Sequence, residues 1–322
     1  MKHSLPTTAL LIFLFIAAQL VGLSLVRLNQ DVVATPEGND IVSRPTVLGD
    51  RPDTSGGESF ALIAVGVAAG TALALLLIRF RLYRVWRVWF LLAVWVALSI
   101  ALGVLLPQAI ALLLAAGLAV WKTFRPNPVI HNVTEILIYA GIAVLIAPLF
   151  DLWWVIALLL AISVYDWIAV HRSGHMVTLA KAQADKSLFA GLYLPTTSGK
   201  SRSPASAKTG AAPARRATPS ARNTPIPEAS APRALESGGA AILGGGDIAF
   251  PLIFAAVTQV WLIETRGMLP TSAFFTSLLV PLGATIALTT LFALAKKGRF
   301  YPAMPPITAG CLIGLGVAAL IA

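Results

Sequence analysis

The sequence predicts an all-α fold: a polytopic membrane protein with nine transmembrane helices, N-terminus cytoplasmic and C-terminus outside. Three observations carry this expectation: a composition that is 57% hydrophobic and only 12% charged, a series of long apolar runs, and basic residues gathered in alternate connections. A soluble globular domain of 322 residues with so little polar surface is excluded. A net charge of +10 would suit nucleic acid, but the basic residues are scattered through short loops between apolar runs. They report orientation in a bilayer, and no nucleic-acid partner is expected. The single cysteine, Cys311, lies in an apolar run and leaves no intrachain disulfide or cysteine-based metal cluster.

The apolar runs are 7–26, 60–78, 88–106, 109–121, 133–150, 152–170, 240–262, 274–294 and 304–321. Most have the roughly 20 residues needed to cross about 30 Å of hydrocarbon. Residues 88–121 are too many for one span, and Pro107 and Gln108 in LLPQA offer the turn that divides them. Charge placement tests the count. With the N-terminus inside, only Arg27, Arg44, Arg51 and Arg266 of the 24 Lys and Arg fall in outer segments. The short inner loops hold Arg79 to Arg87, Lys122 with Arg125, and Lys296 to Arg299. Merging the third and fourth runs would put these loops on opposite sides, against the positive-inside rule. Tyr83, Trp86, Trp89, Trp121, Trp153, Trp154, Trp261 and Tyr301 fall near the interfaces, whereas Trp95 is expected between helices. The first run starts with Lys2 and His3, but no small-x-small site follows, so it is expected to remain a span.

The chain therefore divides into helices one to six over 1–170, an interfacial segment over 171–194, a loop over 195–237 and helices seven to nine over 238–322. Val177, Ala180, Ala184 and Leu188 would share one face of a short helix along the inner interface. The loop is rich in Ser, Ala, Thr, Pro and Arg and is expected to be disordered, a solvated tether able to touch anionic lipid heads. No internal repeat is visible.

Of 14 acidic residues, three lie within apolar runs: Glu135, Asp166 and Asp247. An acid there is costly and is a functional candidate by default. Glu135, near the inner end of the fifth run, reads as structural, snorkelling or paired with Lys122 or Arg125. Asp166 lies five residues before His171, about 7–8 Å in from the inner end of its span. Asp247 lies nine residues after Gly238, about 13 Å in from the inner end of the next. Consecutive spans are antiparallel, so both acids reach the cytoplasmic third at similar depth. If they face each other they share one proton, hold a water molecule and act as base and acid on a peptide carbonyl, with no cofactor or metal required. Gly244, Gly245 and Gly246 carry no side chain, so a substrate backbone can approach Asp247 and the loosened helix start can offer its polar groups to a substrate strand.

Tyr165–Asp166 in the sixth run, GGGD (Gly244 to Asp247) in the seventh and PAMPP (Pro302 to Pro306) before the last resemble the presenilin and signal peptide peptidase family of intramembrane aspartyl proteases. That family carries YD, GxGD and PAL motifs in its sixth, seventh and ninth helices. The resemblance implies that Asp166 and Asp247 are the catalytic pair. It implies that Pro302, Ala303 and Met304 shape the site and engage substrate, beside Gly244, Gly246 and Tyr165. Met304 replaces the family's leucine and keeps apolar volume; Gly245 in the variable position should loosen the backbone; the Pro-rich insertion is peculiar to this chain. The N-in, C-out orientation resembles presenilin and implies substrates with their N-terminus outside. Expected partners are transmembrane peptides and membrane lipids in the cell membrane, with self-association and accessory subunits left open. The competing reading is a proton- or cation-coupled transporter or leak channel, which also places acids beside broken helices.

Overall fold

The apolar runs are helical in a computed structural model that describes residues 5–36, 38–125, 127–170, 190–195, 240–295 and 301–322. In chain order they are α1 (Leu5–Leu28), α2 (Gly56–Arg79), α3 (Tyr83–Gly103), α4 (Gln108–Phe124), α5 (Pro128–Ile146) and α6 (Leu152–Ile168). After them come α7 (Gly246–Glu264), α8 (Pro270–Ser277), α9 (Leu279–Leu294) and α10 (Met304–Ile321), with α8 and α9 running on as one 25-residue apolar helix. Among the described residues, seven helices are long and apolar enough to cross a membrane, and α4 and α6 are shorter apolar helices. The expected interfacial helix over 171–189, the disordered loop over 196–237 and the basic loop Lys296 to Arg299 lie outside the described residues.

Local sequence explains the helix boundaries. Ser55 and Glu58 form a reciprocal capping box at the start of α2, with the Ser55 N–H donating to Glu58 Oε2 at 2.9 Å and the Glu58 N–H to Ser55 Oγ at 3.3 Å. Asn127 caps α5 by accepting the Val129 N–H at 2.8 Å, with Pro128 in the first turn. Asp151 caps α6 by accepting the Trp154 N–H at 2.9 Å. The division of 88–121 is as expected: α3 ends at Gly103, Pro107 precedes α4, and Gln108 Nε2 donates to the Val47 carbonyl at 2.8 Å. Trp95 packs between these two helices, its indole N–H donating to the Leu112 carbonyl at 3.1 Å.

Two strand pairs were not anticipated. On one side of the bundle β1 (Gln30–Thr35) and β2 (Gly38–Ser43) form an antiparallel hairpin after α1. Arg44 grips Asp31 with both arms of its guanidinium at 2.6 and 2.9 Å, and this pairing holds the Asp31 carboxyl below its ordinary range. The Ile41 N–H donates to Glu264 Oε1 at 3.1 Å, tying the hairpin to the end of α7. The second pair, β3 (Gly191–Pro195) and β4 (Ala240–Gly244), leads directly into α7. The run 240–262 is therefore not helical from its start: its first five residues are a strand, and the span is Gly246–Glu264. Likewise, the last residues of the expected interfacial segment are strand β3.

α7 is the axis of the bundle, with 72% of its apolar window buried against 11% for α2. Ile248, Leu252 and Phe254 are fully buried, and α1, α5, α6 and α10 pack around α7. Lipid tails are as apolar as leucine, so close packing through small residues has to hold these helices together. Ala111, Ala115 and Ala119 make a fully buried stripe on α4 at four-residue spacing. Gly283 and Gly310 bring α9 and α10 into backbone contact, so that a Cβ at either would collide with the other's carbonyl. Gly310→Val should therefore force the two helices apart and lower stability by about 1–3 kcal/mol, read as a fall in Tm of the detergent-solubilised protein.

Candidate active site

Three chain segments meet at the site: the end of α6 with Asp166, the β4–α7 junction with Asp247, and the start of α10 with Met304. Asp166 is 7% exposed, while the Tyr165 side chain beside it is 52% exposed, so the two point to different faces of α6. Asp166 Oδ2 accepts the Met304 N–H at 3.1 Å, and the Ala303 N–H also donates to this carboxyl. The four leading N–H groups of a helix have no partner inside it and carry partial positive charge, so the start of α10 is a natural seat for a carboxylate. One turn away, the Ser163 and Thr308 hydroxyls bond to each other and pin α6 to α10. Pro302 and Ala303 are half-buried beside Met304, which is 3% exposed.

Asp247 lies in the first turn of α7 and is half-buried. Its carboxyl accepts the Gly244 N–H and lies within electrostatic reach of Asp166. The two acids, expected to meet from neighbouring helices, are thus near enough to act on each other electrostatically. Two of the three glycines are required by close approach. A Cβ at Gly244 would lie 3.1 Å from Asp247 Oδ2, and one at Gly245 would lie 2.9 Å from the Tyr139 hydroxyl oxygen. Gly246 is exposed, and a Cβ there would make only ordinary contact with Phe250. Gly245, expected to loosen the backbone, has a φ of −65° and a ψ of −32°, those of a regular helix, and lies against Tyr139. Four residues after Asp247, Pro251 lacks the N–H that would bond the Asp247 carbonyl in a regular helix. Gln19 of α1 braces the same turn, its Nε2 donating to the Ile248 carbonyl at 2.9 Å.

Among the described residues, the strand pair beside Asp247 has one edge occupied and one edge facing outwards. On β3, the Gly191 N–H donates to Glu135 Oε2 at 3.1 Å and the Gly191 carbonyl lies 2.8 Å from His131 Nε2. Two residues on, the Tyr193 N–H donates to Asn132 Oδ1 at 2.9 Å while Asn132 Nδ2 donates to the Tyr193 carbonyl at 2.8 Å. Successive residues of a strand turn their polar groups to opposite edges. Leu192 and Leu194 therefore face Leu243 and Ala241 in the antiparallel register, and the N–H and C=O of Ile242 lie on the outer edge of β4. Glu135 pairs with Lys122 at 2.8 Å, one of the two partners expected for it.

Residues 131, 132, 139 and 191–195 are the part of this site that sequence reasoning missed. The alternation Leu192, Tyr193, Leu194 was an available strand signal, but it lay within a segment read for helical periodicity. Among the described residues, no three His, Cys, Asp or Glu side chains gather as metal ligands. Chemically, a buried carboxyl and a half-buried one within electrostatic reach of each other can share a proton and pass it in either direction.

The sequence profile described as "Signal-peptide peptidase, presenilin aspartyl protease" matches residues 57–322. Two solved structures of a presenilin family intramembrane aspartate protease, in space groups C222 and P2, share the fold with TM-scores of 0.58 and 0.56. Each covers 97% of this chain and 97% of its own, at 17% and 19% sequence identity respectively. No curated protein sequence matches the chain. A double-mutant cycle on Ser163→Ala and Thr308→Val should return a coupling of about 0.6–1.7 kcal/mol in detergent unfolding, as expected for a buried interhelical hydroxyl pair.

Proposed function

The chain belongs to the signal-peptide peptidase and presenilin aspartyl protease family and is an intramembrane aspartic endopeptidase, and on that premise we propose that Asp166 and Asp247 are its catalytic pair. The observation that carries this assignment is the convergence of the two carboxyls, each accepting backbone N–H groups, beside the outer edge of β4. No observation favours the transporter reading.

In the reaction the pair shares one proton and holds a water molecule. The ionised carboxylate takes a proton from the water as the water oxygen bonds to the peptide carbonyl carbon. The protonated carboxyl gives its proton to the carbonyl oxygen, so the intermediate is a neutral gem-diol. Its collapse returns one hydroxyl proton to a carboxylate, the other acid protonates the leaving nitrogen, and the C–N bond breaks. The products are a carboxyl and an amine, and the pair again holds one proton.

The outer edge of β4 supports strand addition as the mode of substrate binding: an extended peptide pairs with the N–H and C=O of Ile242 and runs on past Gly244 and Gly246 towards Asp247. Pro302, Ala303 and Met304 close the site from the α10 side, and exposed Tyr165 lines the approach along α6. We propose nine crossings with α4 and α6 among them, the N-terminus in the cytoplasm and the C-terminus outside, in the cell membrane. Peptide chains have direction, so this orientation selects single-span substrates whose N-terminus is outside.

Asp166→Ala and Asp247→Ala should each abolish cleavage of a single-span reporter by detergent-purified protein while leaving Tm near wild type; cleavage surviving in either variant excludes the pair. The rate should be bell-shaped in pH, because one proton must be present and one absent, and a flat profile across the acidic range would count against the shared-proton mechanism. In a vesicle panel, reporters with the N-terminus outside should be cut and inverted ones spared.

A further inference from the structure

The reaction does not use the most deeply buried charges among the described residues. Lys122 and Glu135 have side chains only 2% exposed and pair at 2.8 Å between α4 and α5. A buried ion pair commonly contributes little net stability compared with well-packed apolar residues, so its retention asks for another explanation. What the pair organises is visible in its remaining contacts. Glu135 sends Oε1 to Lys122 and Oε2 to the Gly191 N–H, and it also accepts the Tyr139 hydroxyl. Lys122 Nζ lies 3.1 Å from His131 Nδ1. An ammonium can only donate, so Nδ1 is the accepting nitrogen and the proton of the neutral ring is on Nε2. That Nε2–H donates to the Gly191 carbonyl at 2.8 Å. The one cation thus fixes both an acceptor for the Gly191 N–H and a donor for its C=O, and Asn132 repeats this pairing at Tyr193.

From this geometry we infer that Lys122, Glu135, His131 and Asn132 act together as a surrogate strand: positioning residues that occupy the far edge of β3 and so set the register of β4, Asp247 and the incoming peptide. Alternate strand residues, 191 and 193, are matched by side chains from one face of α5, at the spacing a real third strand would present. The edge is thereby closed to peptide, which leaves β4 as the docking edge. Tyr139 extends the link: its hydroxyl is held by Glu135, and its ring lies against Gly245, two residues before Asp247.

This inference rests on the proteolytic assignment, so its test separates the two. In the full chain, Lys122→Met/Glu135→Gln removes the charges but keeps an acceptor for the Gly191 N–H, whereas Lys122→Met/Glu135→Leu removes both. The Gln variant, which keeps the acceptor but loses the cation that sets the His131 tautomer, should fall between wild type and the Leu variant, and the Leu variant should lose at least about tenfold in kcat, as a misplaced reacting group does. Product masses should shift or broaden in the Leu variant alone, at equal Tm, which a merely structural role would not produce. Should the Leu variant fail to fold, Asn132→Ala tests the same edge at Tyr193 and should broaden the products too. Deuterium uptake over 190–195 and 240–246 should rise in the Leu variant or Asn132→Ala, a readout that stands even without cleavage. Unchanged product masses together with unchanged exchange in the variants that lose the edge would overturn the inference. Loss of cleavage in the wild type itself would instead overturn the protease assignment.

Discussion

A strand pair within a helical membrane bundle must satisfy the polar groups on both of its edges, because lipid offers no donor or acceptor. That constraint organises the end of the bundle where β3 and β4 lie. β3 meets it with the His131, Asn132 and Glu135 side chains of α5, and Glu135 in turn needs Lys122 as its counter-charge. β4 meets it on one side through β3, and among the described residues its other edge is the one proposed above to pair with substrate.

The same logic extends to the helix that follows. α7 begins inside the protein, at the end of a strand, so its first turn must be held by its neighbours. Gln19 reaches the Ile248 carbonyl from α1, Gly245 packs on Tyr139 from α5, and Asp247 bonds back to the Gly244 N–H. The axis of the bundle and the Asp247 carboxyl are therefore positioned by one set of contacts.

Much of this was legible in the sequence because charge in an apolar run is conspicuous. Asp166 and Asp247 stood out for that reason, and their distances from the span ends placed them at like depth. The turn at Pro107 was legible because proline and glutamine interrupt a run too long for one crossing. What stayed hidden was the switch from strand to helix at Gly245. AAILG is as apolar as the helix it precedes, and over five residues hydrophobicity does not distinguish the two states. Its partner GLYLP lies on the far side of residues 196–239, so no local signal marks the pairing. The β1–β2 hairpin had usable signals, β-branched runs flanking Pro36, Glu37 and Gly38, but it lay between the apolar runs on which the reading was based. Lys122 was one of two candidate partners for Glu135, and only packing could choose between them.

The backbone donors at Asp166 have a consequence of their own. In the stretch from Pro302 to Pro306, three residues are proline and have no amide hydrogen; the two that retain one, Ala303 and Met304, are the two that bond Asp166. The prolines strip the opening turn of α10 of competing amides, so its remaining donors converge on a single oxygen acceptor group. Asp166 is thus anchored by the peptide main chain, which exchange of the side chain at 303 or 304 leaves in place. An imino acid at either position would delete an anchor outright, a loss separate from the cost of repacking the buried Met304 side chain.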